Sequence, residues 1–210
     1  MVQLFHYPCY HLPAYEKEPT MAMKELLAKN RSIRRFHQDH QISMDTLRHL
    51  VDCARLSPSA RNMQPLRYVL SGEPGKNAVI FSQIGWAGYL PDWLGPAEGE
   101  RPSAYIILCG DTTVTPAVRW DDGICAHSIL LAATEMGLGG CMIGTINRKN
   151  LSEALNIPPQ YDICLVVALG KPKEQVVIDP VTDGDIKYFR DDRQIHHVPK
   201  RSLDEVILNI

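Results

Sequence analysis

The sequence predicts one domain built on a central sheet with helices on both of its faces, and three observations carry that expectation. The runs at 104–109 and 163–169 are apolar on both faces of a strand, so helices must cover the sheet from both sides. The stretch 121–136 is apolar nearly all round through Ile124, Ala126, Ile129, Leu130, Ala132 and Ala133. That is the pattern of a helix at the centre of a domain or of a dimer. Finally, 210 residues with 45% hydrophobic and 22% charged side chains suit a single globular domain.

The elements follow in order. Residues 1–20 hold three prolines, several aromatics and two histidines without periodicity. They read as an irregular N-terminal arm ahead of a domain over 21–210, and Met21 or Met23 would serve as an alternative start. Thr20 can cap a helix that runs to Lys29. Ser43 can cap the next, in which Leu47, Leu50, Val51 and Ala54 keep helical spacing until Pro58 stops it. A short strand is expected at 67–71, closed by Gly72, then a short helix at 76–84. The Gly-, Pro- and Trp-rich stretch that follows, to residue 103, reads as a long binding loop or lid. Gly137 is placed to end the 121–136 helix. A strand at 141–143, a helix at 149–155 and the strand at 163–169 complete the regular part. Beyond Gly170 the chain is polar and reads as irregular until the apolar ending Val206-Ile207-Leu208-Asn209-Ile210. That ending reads as a strand in need of a sheet edge, its own or a partner's.

Composition excludes some functions. A formal net charge of -2 leaves no basic excess for general nucleic-acid or membrane-surface binding. The start has no basic, apolar leader, and no apolar stretch is long enough to span a bilayer. The six cysteines (Cys9, Cys53, Cys109, Cys125, Cys141, Cys164) show no C-x-x-C spacing and read as small buried hydrophobes of a reduced compartment. The cytoplasm is the expected location. His6, Cys9 and His11 are close enough to share a metal, but no fourth ligand is evident. His196 and His197 are adjacent, so on an extended segment they point opposite ways. There is no nucleophile elbow and no P-loop, and Gly137-Leu138-Gly139-Gly140 follows a helix, the wrong order for a dinucleotide turn.

Two polar clusters remain. Asn30-Arg31-Ser32-Ile33-Arg34-Arg35-Phe36 packs three guanidinium groups and a hydroxyl into five residues. Ser57-Pro58-Ser59-Ala60-Arg61-Asn62-Met63-Gln64-Pro65 follows one helix later. Each has a plain explanation, a solvated helix end and an ordinary turn. Together they look like two walls of a site for an anionic, planar ligand. Arginine grips phosphate with paired charged hydrogen bonds, and Asn and Gln offer the donor and acceptor that a heterocycle edge needs.

In this combination the chain resembles the FMN-dependent nitroreductase family. Arg31-Ser32-x-Arg34 is similar to its N-terminal flavin element and Ser57-Pro58-Ser59-x-x-Asn62-x-Gln64-Pro65 to its S-P-S-x-x-N-x-Q-P turn. The run from Glu135 to Gly144 and the closing Pro199-Lys200-Arg201-Ser202-Leu203-Asp204-Glu205-Val206 are similar to two further family segments. The resemblance covers roughly 23–210. The chain departs from the common pattern at Asn30, where many members are basic, at Leu66, where many carry Trp, and at Gly144-Thr145. The resemblance implies an α+β fold with a central mixed sheet flanked by helices. It also implies an obligate homodimer that exchanges its C-terminal strand and holds two FMN sites at the interface. Arg31, Ser32, Lys200 and Arg201 would hold the phosphate, and Arg34 would face the N1/O2 edge of the ring. Pro58, Ser59, Asn62 and Gln64, from the other subunit, would contact the ring and ribityl chain. The amides of Gly144 and Thr145 would meet N5 and O4, with Met142 and Ile143 against one ring face. The implied activity is hydride transfer from NADH or NADPH through FMN to a small electrophile such as a nitroaromatic or quinone, in ping-pong order, with no catalytic side chain. The alternatives are a flavin carrier or sensor with little turnover, and a specialised member such as a dehalogenase.

Overall fold

The structure is a computed structural model and describes residues 22–208 and 210. The arm over 1–20, Thr20, Met21 and the group His6, Cys9 and His11 lie outside the described residues. The elements run α1 (Met23–Lys29), β1 (Phe36–His37), α2 (Met44–Arg55), β2 (Leu66–Ser71), α3 (Pro74–Ser82), β3 (Ala104–Asp111), α4 (Asp121–Glu135), β4 (Gly139–Ile143), α5 (Arg148–Ala154), β5 (Tyr161–Pro172), β6 (Val176–Pro180), β7 (Phe189–Arg190), β8 (His196–Lys200) and α6 (Leu203–Val206).

Antiparallel ladders build the central sheet in the order β1-β5-β3-β2, and β4 pairs with β5 on the same edge as β1. The expected mixed character is confined here to one parallel bridge, Ser32 to Gly140. The apolar strands are covered on both faces, as expected. On one face Leu47, Leu50 and Ala54 of α2 and Ala126, Ile129 and Ala133 of α4 pack on Ile106, Leu108, Val167 and Leu169. On the other, Ile80 of α3 and Leu151 of α5 pack on Tyr105, Ile107, Val166 and Ala168. Ser43 caps α2 by accepting from the Thr46 amide at 3.0 Å. Gly137 ends α4 at φ +70, a backbone that favours glycine. At Gly140 a Cβ would strike the Ala168 carbonyl and the Leu130 side chain, so glycine there serves the close approach of β4 to β5 and α4.

Two expectations past Gly170 are corrected. The polar stretch is not irregular: β6, β8 and β7 form a second, three-stranded sheet in which β6 and β8 run parallel. The apolar ending does not begin as a strand. Ser202 accepts from the Glu205 amide while the Glu205 carboxylate accepts from the Ser202 amide, and this capping box starts the one-turn helix α6. Val206 belongs to that helix, and Leu203, Val206, Ile207, Leu208 and Ile210 are all exposed. Among the described residues no helix is long and apolar enough to cross a membrane.

Candidate functional site

The first polar cluster lies at the C-terminal end of α4, beside β4. The Ile33 amide donates to the Gly140 carbonyl at 2.9 Å, which lays 31–34 along the edge of β4. Its three arginines have different fates. Arg35 forms a two-pronged pair with Glu100, at 2.7 and 2.8 Å, and Lys173 reaches the same carboxylate at 3.1 Å. The Arg35 hydrogen bond and pair hold the Glu100 carboxyl well down, to about 2. Arg31 donates only to the carbonyls of Asn30 and Leu27, at 2.6 and 2.9 Å, and desolvation lowers its pKa. Arg34 donates through Nη1 to the Ser32 carbonyl and meets His196 Nε2, both at 3.3 Å, and its guanidinium lies 4.8 Å from the Tyr188 ring. Neither Arg31 nor Arg34 has a carboxylate partner for its guanidinium among the described residues.

Behind Arg34 stands a network that the sequence did not announce. The side chain of Glu174, 1% exposed, accepts from the amides of Arg34 and Arg35 at 2.5 and 3.2 Å and pairs with Arg190 at 3.1 Å. Arg190 in turn lies 4.2 Å over the ring of Trp93. Tyr188 packs against Tyr89 at 5.0 Å and His196 at 5.3 Å and accepts from the Tyr89 amide at 3.3 Å. The Trp-rich loop, expected as a binding loop or lid, is docked against the second sheet and the segment before it through Trp93 on Arg190 and Tyr89 on Tyr188. His196 is 1% exposed, and burial first, then the charges of Arg34, Arg190 and His197, push its pKa down to about 4. His197 points the other way, as alternation on a strand requires, and bonds Asp179 at 2.6 Å, which raises its pKa.

The second cluster is built on the other end of α4. Asp121, buried in the first turn, accepts from Ser59 Oγ at 2.5 Å and from the Ala60 amide at 3.0 Å, and Ser59 Oγ accepts from the Gln64 amide at 2.9 Å. Arg61, Asn62 and Gln64 all have left-handed backbone, at φ 54, 54 and 49. Only Asn adopts that region readily, so the turn is strained and is held by its anchor. Pro58 sits between Ser57, whose hydroxyl bonds Ser128 at 2.7 Å, and this anchor.

One chain does not bring the two clusters together. They sit at opposite ends of a 15-residue helix, about 22 Å apart by helical rise. The expected strand residues also separate. Met142 packs on the α2 and α4 side of the sheet, while Ile143 is buried in the opposite core, so the two cannot line one ring face together. Gly144 and Thr145 are exposed just past β4, and neither amide has an acceptor among the described residues. The Thr145 carbonyl accepts from Gly85 at 2.9 Å. Lys200 ends β8, about 13 Å along the strand from His196. Arg201 meets Glu205 at 3.6 Å. No hydrogen bond joins either of them to Arg31 or Ser32 among the described residues.

The description "Nitroreductase family" fits residues 27–84 and 114–171, more than half of the chain. A chain of Archaeoglobus fulgidus, provisionally named an NADH dehydrogenase/NAD(P)H nitroreductase, is 30% identical over 159 residues, 72% of this chain and 86% of its own. A 5,6-dimethylbenzimidazole synthase of Rhodospirillum rubrum is 23% identical over 186 residues, 78% of this chain and 88% of its own. Among solved structures, a provisionally named nitroreductase of Exiguobacterium sibiricum 255-15, in complex with FMN, matches at TM-score 0.61 and 18% identity over 73% of this chain and 90% of the other, which speaks to fold alone. From the family match and the Archaeoglobus relative together, the chain belongs to the nitroreductase family.

Proposed function

We propose that the protein is a homodimeric, FMN-dependent oxidoreductase that passes a hydride from NADH or NADPH to a small electrophile, a nitroaromatic, quinone or similar acceptor, in ping-pong order. The observation that carries this reading is that Arg31 and Arg34 stand beside β4 without a carboxylate, while neighbouring Arg35 is already paired with Glu100. The donor set fits FMN. Two unneutralised cations and the exposed Ser32 hydroxyl suit a phosphate and an electron-rich ring edge, and the unpaired amides of Gly144 and Thr145 suit heterocycle acceptors. Arg31, Ser32, Lys200 and Arg201 would hold the phosphate, Arg34 the pyrimidine edge, and Met142 alone of its pair a ring face.

Pro58, Ser59, Asn62 and Gln64 of a second copy would close the other wall, because one chain keeps the two clusters about 22 Å apart. The exposed apolar residues Leu56, Trp120, Ile124 and Met136 and the exposed tail from Leu203 to Ile210 support such a partner, with the tail exchanged between copies. When bound, FMN supplies the hydride chemistry, so no side chain need act as acid or base. The side chains bind and orient, and Arg34 places a fixed cation where negative charge gathers. The described cysteines are free, in keeping with a cytoplasmic location.

Purified protein is expected to be yellow or to take up FMN, to elute as a dimer, and to oxidise NAD(P)H faster when an acceptor is present. Protein that neither carries nor binds FMN would sink the reading. Rapid mixing with NADH and NADPH separates a turning-over enzyme from a flavin carrier. The Rhodospirillum relative supports a second reading, synthesis of 5,6-dimethylbenzimidazole. Mass spectrometry of the aerobic reaction for that product decides between them.

A further inference from the structure

Arg34 is held from three sides, by the Ser32 carbonyl, by His196 of β8 and by Tyr188 just before β7. Its Nη1 meets the Ser32 carbonyl and His196 Nε2, each at 3.3 Å, and the Tyr188 ring lies 4.8 Å from the guanidinium and 5.3 Å from the imidazole. A guanidinium can only donate, so Nε2 must offer its lone pair and the ring proton must sit on Nδ1. Nδ1 is itself buried without a partner among the described residues. An imidazolium would set two cations against each other at that distance, with Arg190 and His197 adding to the repulsion. Glu174, the carboxylate that meets the Arg34 amide, is committed to Arg190 and to the amides of Arg34 and Arg35. No carboxylate reaches Nε or Nη2 of Arg34 among the described residues; the buried Cys141 thiol is the further group within reach of the guanidinium and of Ser32.

We propose that His196 is a positioning residue: as a neutral acceptor it fixes the Arg34 guanidinium at the cofactor edge, which makes the second sheet a working part of the site. The inference rests on the FMN reading above. It assigns His196 no proton transfer, since a buried ring that already accepts from Arg34 has no path to a substrate. It also gives the docked Trp-rich loop a route to the site, through Tyr89 and Tyr188 to Arg34.

The test has an arm that needs no flavin. Long-range nitrogen–proton NMR of the apo-protein at pH 7 is expected to show His196 as the Nδ1–H tautomer with an unprotonated Nε2. An Nε2–H tautomer or an imidazolium overturns the proposal. The second arm is the flavin midpoint potential of the FMN-loaded protein, by titration against a reference dye. His196→Phe, which cannot accept, is expected to shift the potential in the same direction as Arg34→Gln and by at least half as much. His196→Gln, whose carbonyl can accept, should stay near wild type. The double variant Arg34→Gln/His196→Phe should show no shift beyond Arg34→Gln alone. FMN bound tightly with an unshifted potential in His196→Phe sinks the positioning role and leaves the flavoprotein reading intact. Failure of every form to bind FMN sinks both. If His196→Phe does not fold, the tautomer arm and His196→Leu decide the matter: a His196→Leu shift that adds in full to that of Arg34→Gln overturns the proposal, and one that vanishes in the double variant supports it.

Discussion

At the N-terminal end of α4 one carboxylate, Asp121, organises a strained turn from a single neighbouring segment. At the C-terminal end, Arg34 and Arg35 are held by Glu174, Glu100 and His196, and Glu174 is held in turn by Arg190, residues from three further stretches of chain. The first end is polar because a helix start needs acceptors and a tight turn needs an anchor. The second is polar because buried charges have been matched to one another, with two cations left over. Their difference shows how labour is divided in the proposed site. One end would supply fixed shape and the other charge, each completed in the proposed dimer by the other end of a second copy.

The largest expected effect comes from breaking the charged end. Replacing Glu174 by Gln leaves Arg190, 9% exposed, without its counter-ion and puts an amide where three donors need an acceptor. Unpairing a buried ion costs about 3–5 kcal/mol. Urea unfolding followed by circular dichroism should show a loss in that range. A loss below about 1 kcal/mol, the level of an exposed pair, would mean that water reaches the network and that the two ends do not differ in kind.

A pH titration probes the same end without a mutation. Below pH 6.5 the unfolded chain protonates His196, whereas the folded chain keeps it neutral down to about 4. The unfolded state then binds more protons, so stability falls as pH drops through that window, by up to about 3 kcal/mol. Glu100 acts in a separate window. Its depressed pKa contributes stability above 4.5 that is lost only as pH falls toward about 2. His197, with a raised pKa, acts in the opposite direction and only above 6.5. His196→Gln should therefore flatten the stability curve between pH 6.5 and 4 and leave its acid limb in place. A wild-type curve already flat between 6.5 and 4 would show that the buried histidine is not held neutral.

The shape end should respond less. Asp121→Ala removes the acceptor for Ser59 Oγ and for the Ala60 amide, hydrogen bonds to a charged group worth about 1.5–3 kcal/mol. Three left-handed residues lose their anchor at the same time, so the loss should concentrate in the turn. Hydrogen exchange is expected to rise at 59–64 while 31–35 stays protected. Equal deprotection at both ends of α4 would mean that the ends are coupled within one chain.

Legibility in the sequence divides along the same line. The helices at 44–55 and 121–135 were readable because Ser43, the apolar spacing and Gly137 mark them locally. The S-P-S turn was readable because its chemistry lies in one contiguous motif. Glu174, His196 and Arg190 were not, since a single Glu or His in a polar stretch carries no sign of what it will face. The second sheet was missed because its strands are short, the apolar run Val176-Val177-Ile178 of β6 stands alone in a polar stretch, and both β6 and β8 carry prolines near their ends, which read as breaks. The tail was misread for a different reason. Val206-Ile207-Leu208 has strand composition, but Ser202-x-x-Glu205 just before it is a capping box, a signal present in the sequence and outweighed there by the apolar run.

The smallest effect tests that tail and the partner it is proposed to meet. Ser202→Ala removes one half of the capping box, worth about 1 kcal/mol to a helix start. If α6 stands free in each chain, the loss is confined to four exposed residues and global unfolding should not change, since the tail frays without exposing any core. If instead the tail is exchanged between copies, α6 sets the direction in which Ile207, Leu208 and Ile210 leave the domain. The same substitution then weakens association, and the dimer should dissociate at up to about fivefold higher protein concentration, the equivalent of 1 kcal/mol. Sedimentation equilibrium across a dilution series reads this directly. A dissociation constant unchanged by Ser202→Ala, together with an unchanged one for a chain ending at 201, would place the dimer contact on α4 and its exposed Ile124 rather than on the tail.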